Sequence, residues 1–271
     1  MTEPAKSAGA LPPVFETVGL YKSYGTRRGE VRALESVSMQ LVAGRSMGIV
    51  GESGAGKSTL LGVLLGFERP SRGSVLFHGL LLDPGNKAQM GHLRREVQVV
   101  FQDPRTSLDP RMRVGAIVSE PLRALRLPGD HSVMTAAALR SVGLDPLVVT
   151  RYPREFSGGQ RQRIAIARAL APSPRVLVAD EPVSALDVSV RSQILDLLVS
   201  LRERLGLTLL LVSHDLAIVG QLCDDILILQ GGRVVESGPS EEIFRAPRTE
   251  YTARLLDSVP TLPLAVDRGS D

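Results

Sequence analysis

Gly51-Glu52-Ser53-Gly54-Ala55-Gly56-Lys57-Ser58 follows the apolar run Met47 to Val50 and precedes the apolar stretch Leu60 to Leu65. This stretch decides the fold, because the pattern G-x-x-x-x-G-K-[ST] acquires its chemistry where a strand feeds a glycine loop that opens a helix. In that setting successive backbone N–H groups and the positive end of the helix dipole point at phosphate oxygens. Lys57 can reach the terminal phosphates and the Ser58 hydroxyl can hold magnesium. The stretch predicts a site for a nucleoside triphosphate.

The 271 residues, 43% of them hydrophobic, suffice for a full core, and their number fits one domain with a sizeable insertion better than two independent ones. The formal charge of +3 is modest, and only Lys6, Lys22, Lys57 and Lys87 among the 32 basic residues are lysine. Such arginine dominance reads as coding bias rather than as a polyanion surface. Aromatic residues make up 4% with no Trp, which argues against a base-stacking platform, so no nucleic acid is expected as a partner. Cys223 is the single cysteine, which excludes an intrachain disulfide and a metal cluster built on cysteine. Met1 to Pro13 carries Glu3, Pro4, Lys6 and Pro12-Pro13 without an apolar segment, and no apolar run has transmembrane length.

Around the glycine loop, Val14 to Val18 and Val37 to Leu41 alternate as half-buried strands do and predict a small antiparallel sheet. Ser74 to His78 and Val97 to Phe101 are further strand candidates, each set off by turn residues. From Pro104 to Ala171 the apolar residues recur at helical spacing with Pro and Gly breaks. Strand character returns at Arg175 to Ala179 and Leu207 to Val212, separated by the helical stretch Ser189 to Leu205. That order is a β-α-β crossover and implies parallel strands, so the nucleotide core is split around a helical insert. Gly231-Gly232 with Val234-Val235 closes the sheet region, and Ser240 to Ser258 reads as terminal helices.

A second constellation, Phe156-Ser157-Gly158-Gly159-Gln160-Arg161-Gln162-Arg163, narrows the nucleotide-binding classes. Ser157 with Gln160 forms a capping box opening the helix Gln160 to Leu170. The same helix start, with an exposed Ser and glycine N–H groups, is also a second anion site, and both descriptions can hold at once. Here the chain resembles the ATP-binding cassette (ABC) family, whose signature is the S-G-G-Q element, over residues from about 14 to 260.

The resemblance implies an α/β fold of the P-loop NTPase, RecA-like kind. Its mainly parallel sheet core would carry an antiparallel β subdomain and an inserted helical subdomain. One domain would run over 14–260, with its core in 14–102 and 173–240, its helical insertion in 103–172 and C-terminal helices in 241–260. A disordered leader, 1–13, would precede it and a flexible tail, 261–271, would follow.

The resemblance also assigns residues. Gly51, Glu52, Ser53, Gly54, Ala55, Gly56, Lys57, Ser58 and Thr59 would bind ATP with Mg2+, and Val176-Leu177-Val178-Ala179-Asp180 matches the strand that places a carboxylate at the metal. Ser58, Gln102 and Asp180 are the implied magnesium contacts, and Gln102 resembles the glutamine that senses the transmembrane partner. Glu181 takes the role of polarising the attacking water; otherwise it is a surface residue in the turn before Pro182. His214 resembles the histidine that contacts the γ-phosphate, although a lone His is often structural. Tyr24 resembles the aromatic that stacks on adenine, with plain packing as the alternative. Ser184-Ala185-Leu186-Asp187 resembles the family's D-loop, and Ser157, Gly158, Gly159 and Gln160 would meet the γ-phosphate bound to a second cassette.

Phe101 to Met112 and Tyr152-Pro153-Arg154-Glu155-Phe156 look like elements of the oligopeptide, dipeptide and nickel importer branch. The chain departs from that branch at Asp109, where Asn is usual, and at Thr249-Glu250-Tyr251-Thr252, where His-Pro-Tyr-Thr is usual. The implied partners are a second ATPase subunit, two permease subunits and an extracytoplasmic solute-binding protein, at the cytoplasmic face of the membrane. An importer of nickel or another small solute, a cassette ATPase acting on DNA or ribosomes, and a regulatory scaffold without turnover are the competing readings.

Overall fold

The computed structural model describes residues 13–26, 29–103 and 107–257. The leader expected over 1–13 lies outside the described residues except for Pro13, and the tail 261–271 lies outside them entirely. So do Pro104, Arg105 and Thr106 of the stretch after Gln102.

β1 (Pro13–Thr26) and β2 (Gly29–Val42) are each 14 residues long and antiparallel. They extend well past the apolar alternation at 14–18 and 37–41. The added length is mostly exposed or half-buried, with Leu20 and Leu34 as its fully buried side chains, too sparse for an apolar alternation, and it stays paired through several register shifts. β4 (Arg72–Phe77) and the short β5 (Leu80–Leu81) complete this sheet in the order β2-β1-β4-β5.

The second sheet has the order β10-β9-β3-β8-β7-β6. In it β3 (Ser46–Val50), β6 (Val97–Val100), β7 (Val176–Asp180), β8 (Thr208–Ser213) and β9 (Asp225–Gln230) run parallel, and β10 (Arg233–Pro239) returns antiparallel after the Gly231-Gly232 turn. A parallel strand covered on both faces reads as a continuous apolar run. β7 and β8 fit this, for Leu177, Ala179, Leu209 and Leu211 enter one core while Val176, Val178, Leu210 and Val212 enter the other.

The helices given by the sequence order are α1 (Lys57–Leu64), α2 (Lys87–Glu96), α3 (Val114–Val118), α4 (Glu120–Ala124), α5 (His131–Ser141) and α6 (Gly158–Leu170). α7 (Val188–Leu205), α8 (Leu216–Leu222), α9 (Ser240–Arg245) and α10 (Glu250–Asp257) follow. α3 to α6 form the helical region between β6 and β7, with Leu122, Leu139 and Ile164 fully buried in its core. Among the described residues no helix is long and apolar enough to cross a membrane.

Candidate functional site

β3 lies between β9 and β8 and delivers the chain into the glycine loop. A Cβ at Gly51 would stand 2.3 Å from the Leu229 carbonyl oxygen, so the loop leaves the strand pressed against the neighbouring backbone. Gly56 has φ +104°, and a Cβ there would stand 2.5 Å from the Ala33 carbonyl oxygen. Gly56 is also the N-cap of α1 and offers no side chain to it, which leaves the first-turn N–H groups available to an anion. Lys57 is buried and folds back over the loop, its Nζ donating to the carbonyls of Gly51 at 2.6 Å and Glu52 at 2.9 Å. Burial pushes its pKa down, against the opposing pull of Glu181 and Asp180.

Glu52, Ser53, Gly54, Gly56, Lys57, Ser58 and Thr59 form one side of a cleft of about 760 Å³. Gln102, Asp180, Glu181 and His214 form the other, each just past the carboxyl end of a parallel strand or, for Asp180, at it. Ligands of open α/β sheets bind at such strand ends. Gly51 and Ala55 do not line the cleft; both are buried beneath the loop.

Glu181 takes φ +45°, a left-handed conformation that costs a non-glycine residue energy. Its N–H still donates to the Val212 carbonyl at 2.9 Å, so the kink turns the side chain off the sheet without leaving that donor unpaired. The carboxylate accepts from Gln102 Nε2 at 2.9 Å and lies 3.1 Å from His214 Nδ1. One residue earlier, burial and the adjacent Glu181 raise the pKa of Asp180, while Lys57 lowers it. The Ser58 hydroxyl, the Asp180 carboxylate and the Gln102 amide oxygen supply hard oxygen donors on one cleft, and such a set suits Mg2+.

Tyr24 sits at the rim. It is paired with Val31, which lines the cleft, while its own hydroxyl is hydrogen bonded to Glu68 at 2.5 Å and Lys22 Nζ lies 5.0 Å from its ring centroid. Val31, Arg32 and Ala33 of β2 are cleft residues without a sequence signal, since they belong to no motif and reach the loop only through tertiary packing.

Ser157, Gly158, Gly159, Gln160 and Asp187 stand apart from this cleft. Ser157 caps α6 through the reciprocal pair read from the sequence, its Oγ accepting from Gln160 N at 3.3 Å and its N donating to Gln160 Oε1 at 3.0 Å. A Cβ at Gly158 would lie 3.4 Å from Leu186, and one at Gly159 only 2.4 Å from Val190. The α6 start and the loop before α7 therefore form one exposed patch, separate from the phosphate loop.

The sequence profile described as ABC transporter matches residues 34–184, which takes in the phosphate loop, the capped α6 start and Asp180-Glu181 together. The chain belongs to the ABC transporter family. The oligopeptide transport ATP-binding protein OppD of Mycobacterium tuberculosis is 48% identical over 250 residues, covering 91% of this chain and 41% of OppD. This chain thus spans about two fifths of that relative's length. A peptide import ATP-binding protein of Brucella abortus is 43% identical over 251 residues, 92% of this chain and 79% of that protein. Among solved structures, the dimeric post-hydrolysis ATP-binding cassette MJ0796, bound to ADP and Pi, superposes with a TM-score of 0.74 at 28% identity, over 83% of this chain and 98% of that one. Membership of the ABC family brings nucleotide binding with it.

Proposed function

We propose that the chain is the ATP-binding and ATP-hydrolysing subunit of an ABC importer for di- and oligopeptides. The observation that carries the reading is the Glu181 carboxylate, turned into the phosphate-loop cleft by a strained backbone and held between Gln102 and His214. Phosphoryl transfer needs charge neutralised on oxygens more than covalent help, so positioned groups suffice for it. Lys57 and the α1 N–H groups balance the phosphate charge. Glu181 accepts the proton of the attacking water, and His214 orients that carboxylate and the γ-phosphate. Ser58, Gln102 and Asp180 would hold Mg2+, which would supply further neutralisation of the phosphate charge. Tyr24 stacks on the base.

Ser157 to Gln160 and Asp187 serve the nucleotide of a second ATPase subunit, so two cassettes close head to tail over two ATP molecules. The separation of this patch from the chain's own cleft supports that arrangement, as does the dimeric relative with ADP and Pi. Two permease subunits and an extracytoplasmic solute-binding protein complete the importer, with this chain peripheral on the cytoplasmic face of the membrane. The relatives named for oligopeptide transport and peptide import support the solute class.

Affinity purification of the chain from native membranes, followed by mass spectrometry of what accompanies it, tests the reading. Two permeases and a second ATPase are expected. Ribosomal or DNA-repair proteins in their place would overturn transport.

A further inference from the structure

Two of the chain's 4 histidines, His78 and His92, converge on the buried carboxylate of Glu96, and the proposed ATP chemistry uses none of the three. His78 Nε2 lies 2.7 Å from Glu96 Oε1, and His92 Nε2 lies 3.3 Å from Oε2. All the candidate ligand atoms fall within 4.8 Å of one another. His92 and Glu96 stand one turn apart on α2, which puts them on one helix face.

His78 arrives from a different element and in an unusual way. His78 and Gly79 are the two loop residues between the paired Phe77 and Leu80, with φ +49° and +75°. That is a type I′ hairpin turn, whose first position ordinarily favours Asn, Asp or Gly. An imidazole occupies it here, over Glu96. The Phe77 ring backs both imidazoles, with centroids 4.5 Å from His78 and 5.7 Å from His92. The outer side is open to water, since the His92 side chain is 64% exposed. Arg175 is the remaining charged group facing Glu96, at 3.9 Å, and with its side chain 82% exposed it is free to swing away.

We propose that His78, His92 and Glu96 form a binding site for a divalent transition-metal ion, Zn2+ foremost. Two imidazoles and a carboxylate with a solvent-facing fourth position match zinc's ligand set, whereas Mg2+ and Ca2+ require oxygen donors. The site is remote from the nucleotide. Glu96 directly precedes β6, and its carbonyl accepts from Arg175 N just ahead of β7, so the cluster lies at the amino ends of strands whose carboxyl ends carry the cleft. The extended run from Glu96 to Gln102 puts about 20 Å between them. A bound ion ties the β4–β5 hairpin to α2 and the parallel sheet.

Titration of the untagged full chain with Co2+, in buffer containing excess Mg2+, tests this through the visible d–d absorption that tetrahedral cobalt acquires. The expected result is a saturable band that Zn2+ abolishes, weakened by more than about tenfold in H92Q, the loss that even an outer-shell change can cause. H92Q alters an exposed helix position and keeps the fold; H78N/H92Q, with a residue the turn favours at 78, should lose the band altogether. Absence of the band in the folded wild-type chain, or equal affinity in both variants, overturns the site.

Discussion

The Asp180 carboxyl stands at the end of a buried strand beside Glu181, and burial with that neighbouring charge raises its pKa although Lys57 acts the other way. A raised pKa in the folded state means that ionisation weighs against folding. Stability from this group is full below the ordinary carboxylate range and is lost as pH rises through the raised value. Asp180→Asn should therefore raise Tm at neutral pH, with the advantage shrinking in acid, and should at the same time remove the Mg2+ dependence of nucleotide binding. Thermal melts across a pH series check it; a Tm at neutral pH equal to or below that of the unaltered chain would contradict it. Lys57 is legible in the glycine-loop pattern itself, whereas Asp180 and Glu181, at the end of an apolar strand, enter through the resemblance to the ABC family. The Glu181 contacts with Gln102 and His214 are not legible in the sequence, because they depend on register: β6 pairs Val100 with Ala179, and β7 pairs Asp180 with Val212.

Helix α10 is fixed from a distance by one strand residue. Glu236 of β10 is buried, and its carboxylate accepts from Arg248 N at 2.9 Å, Thr249 N at 3.3 Å and Thr249 Oγ1 at 3.3 Å, capping the turn that leads into α10. From α10, the Tyr251 hydroxyl accepts from the Glu52 N–H at 3.3 Å, so the helix also braces the phosphate loop. Glu236→Ala strands those donors and should cost about 1–3 kcal/mol in urea unfolding. Hydrogen exchange should then quicken over 248–257 first, whereas uniform quickening across the strands would argue that Glu236 has no local role. At this scale the sequence spoke unevenly. The sequence reading takes in β3, β6, β7, β8 and α7 but neither β9, whose apolar run is Ile226 to Leu229, nor α2, where only Met90 and Leu93 supply the apolar face and the signal is Asn86, whose side chain accepts from Ala88 N and Gln89 N. The outer parts of β1 and β2 carry a similarly sparse signal, with Leu20 and Leu34 as their fully buried side chains.

For the molecule as a whole, the decisive feature is that the phosphate loop and the Ser157 patch are carried by one chain yet do not meet in it. On the proposed function, a second cassette completes the site. Ser157→Arg should abolish turnover by the assembled pair while leaving ATP affinity of the single chain nearly unchanged in calorimetry. An equal loss of single-chain affinity would mean that the patch serves its own nucleotide. The central claim is that Glu181 activates water in this cleft, and its most direct test is the steady-state phosphate release of the assembly purified with its membrane partners, compared between the unaltered chain and Glu181→Gln. Removing a general base should lower turnover by about 100-fold or more while Mg-ATP still binds. Turnover of the Gln variant close to that of the unaltered chain would contradict the account.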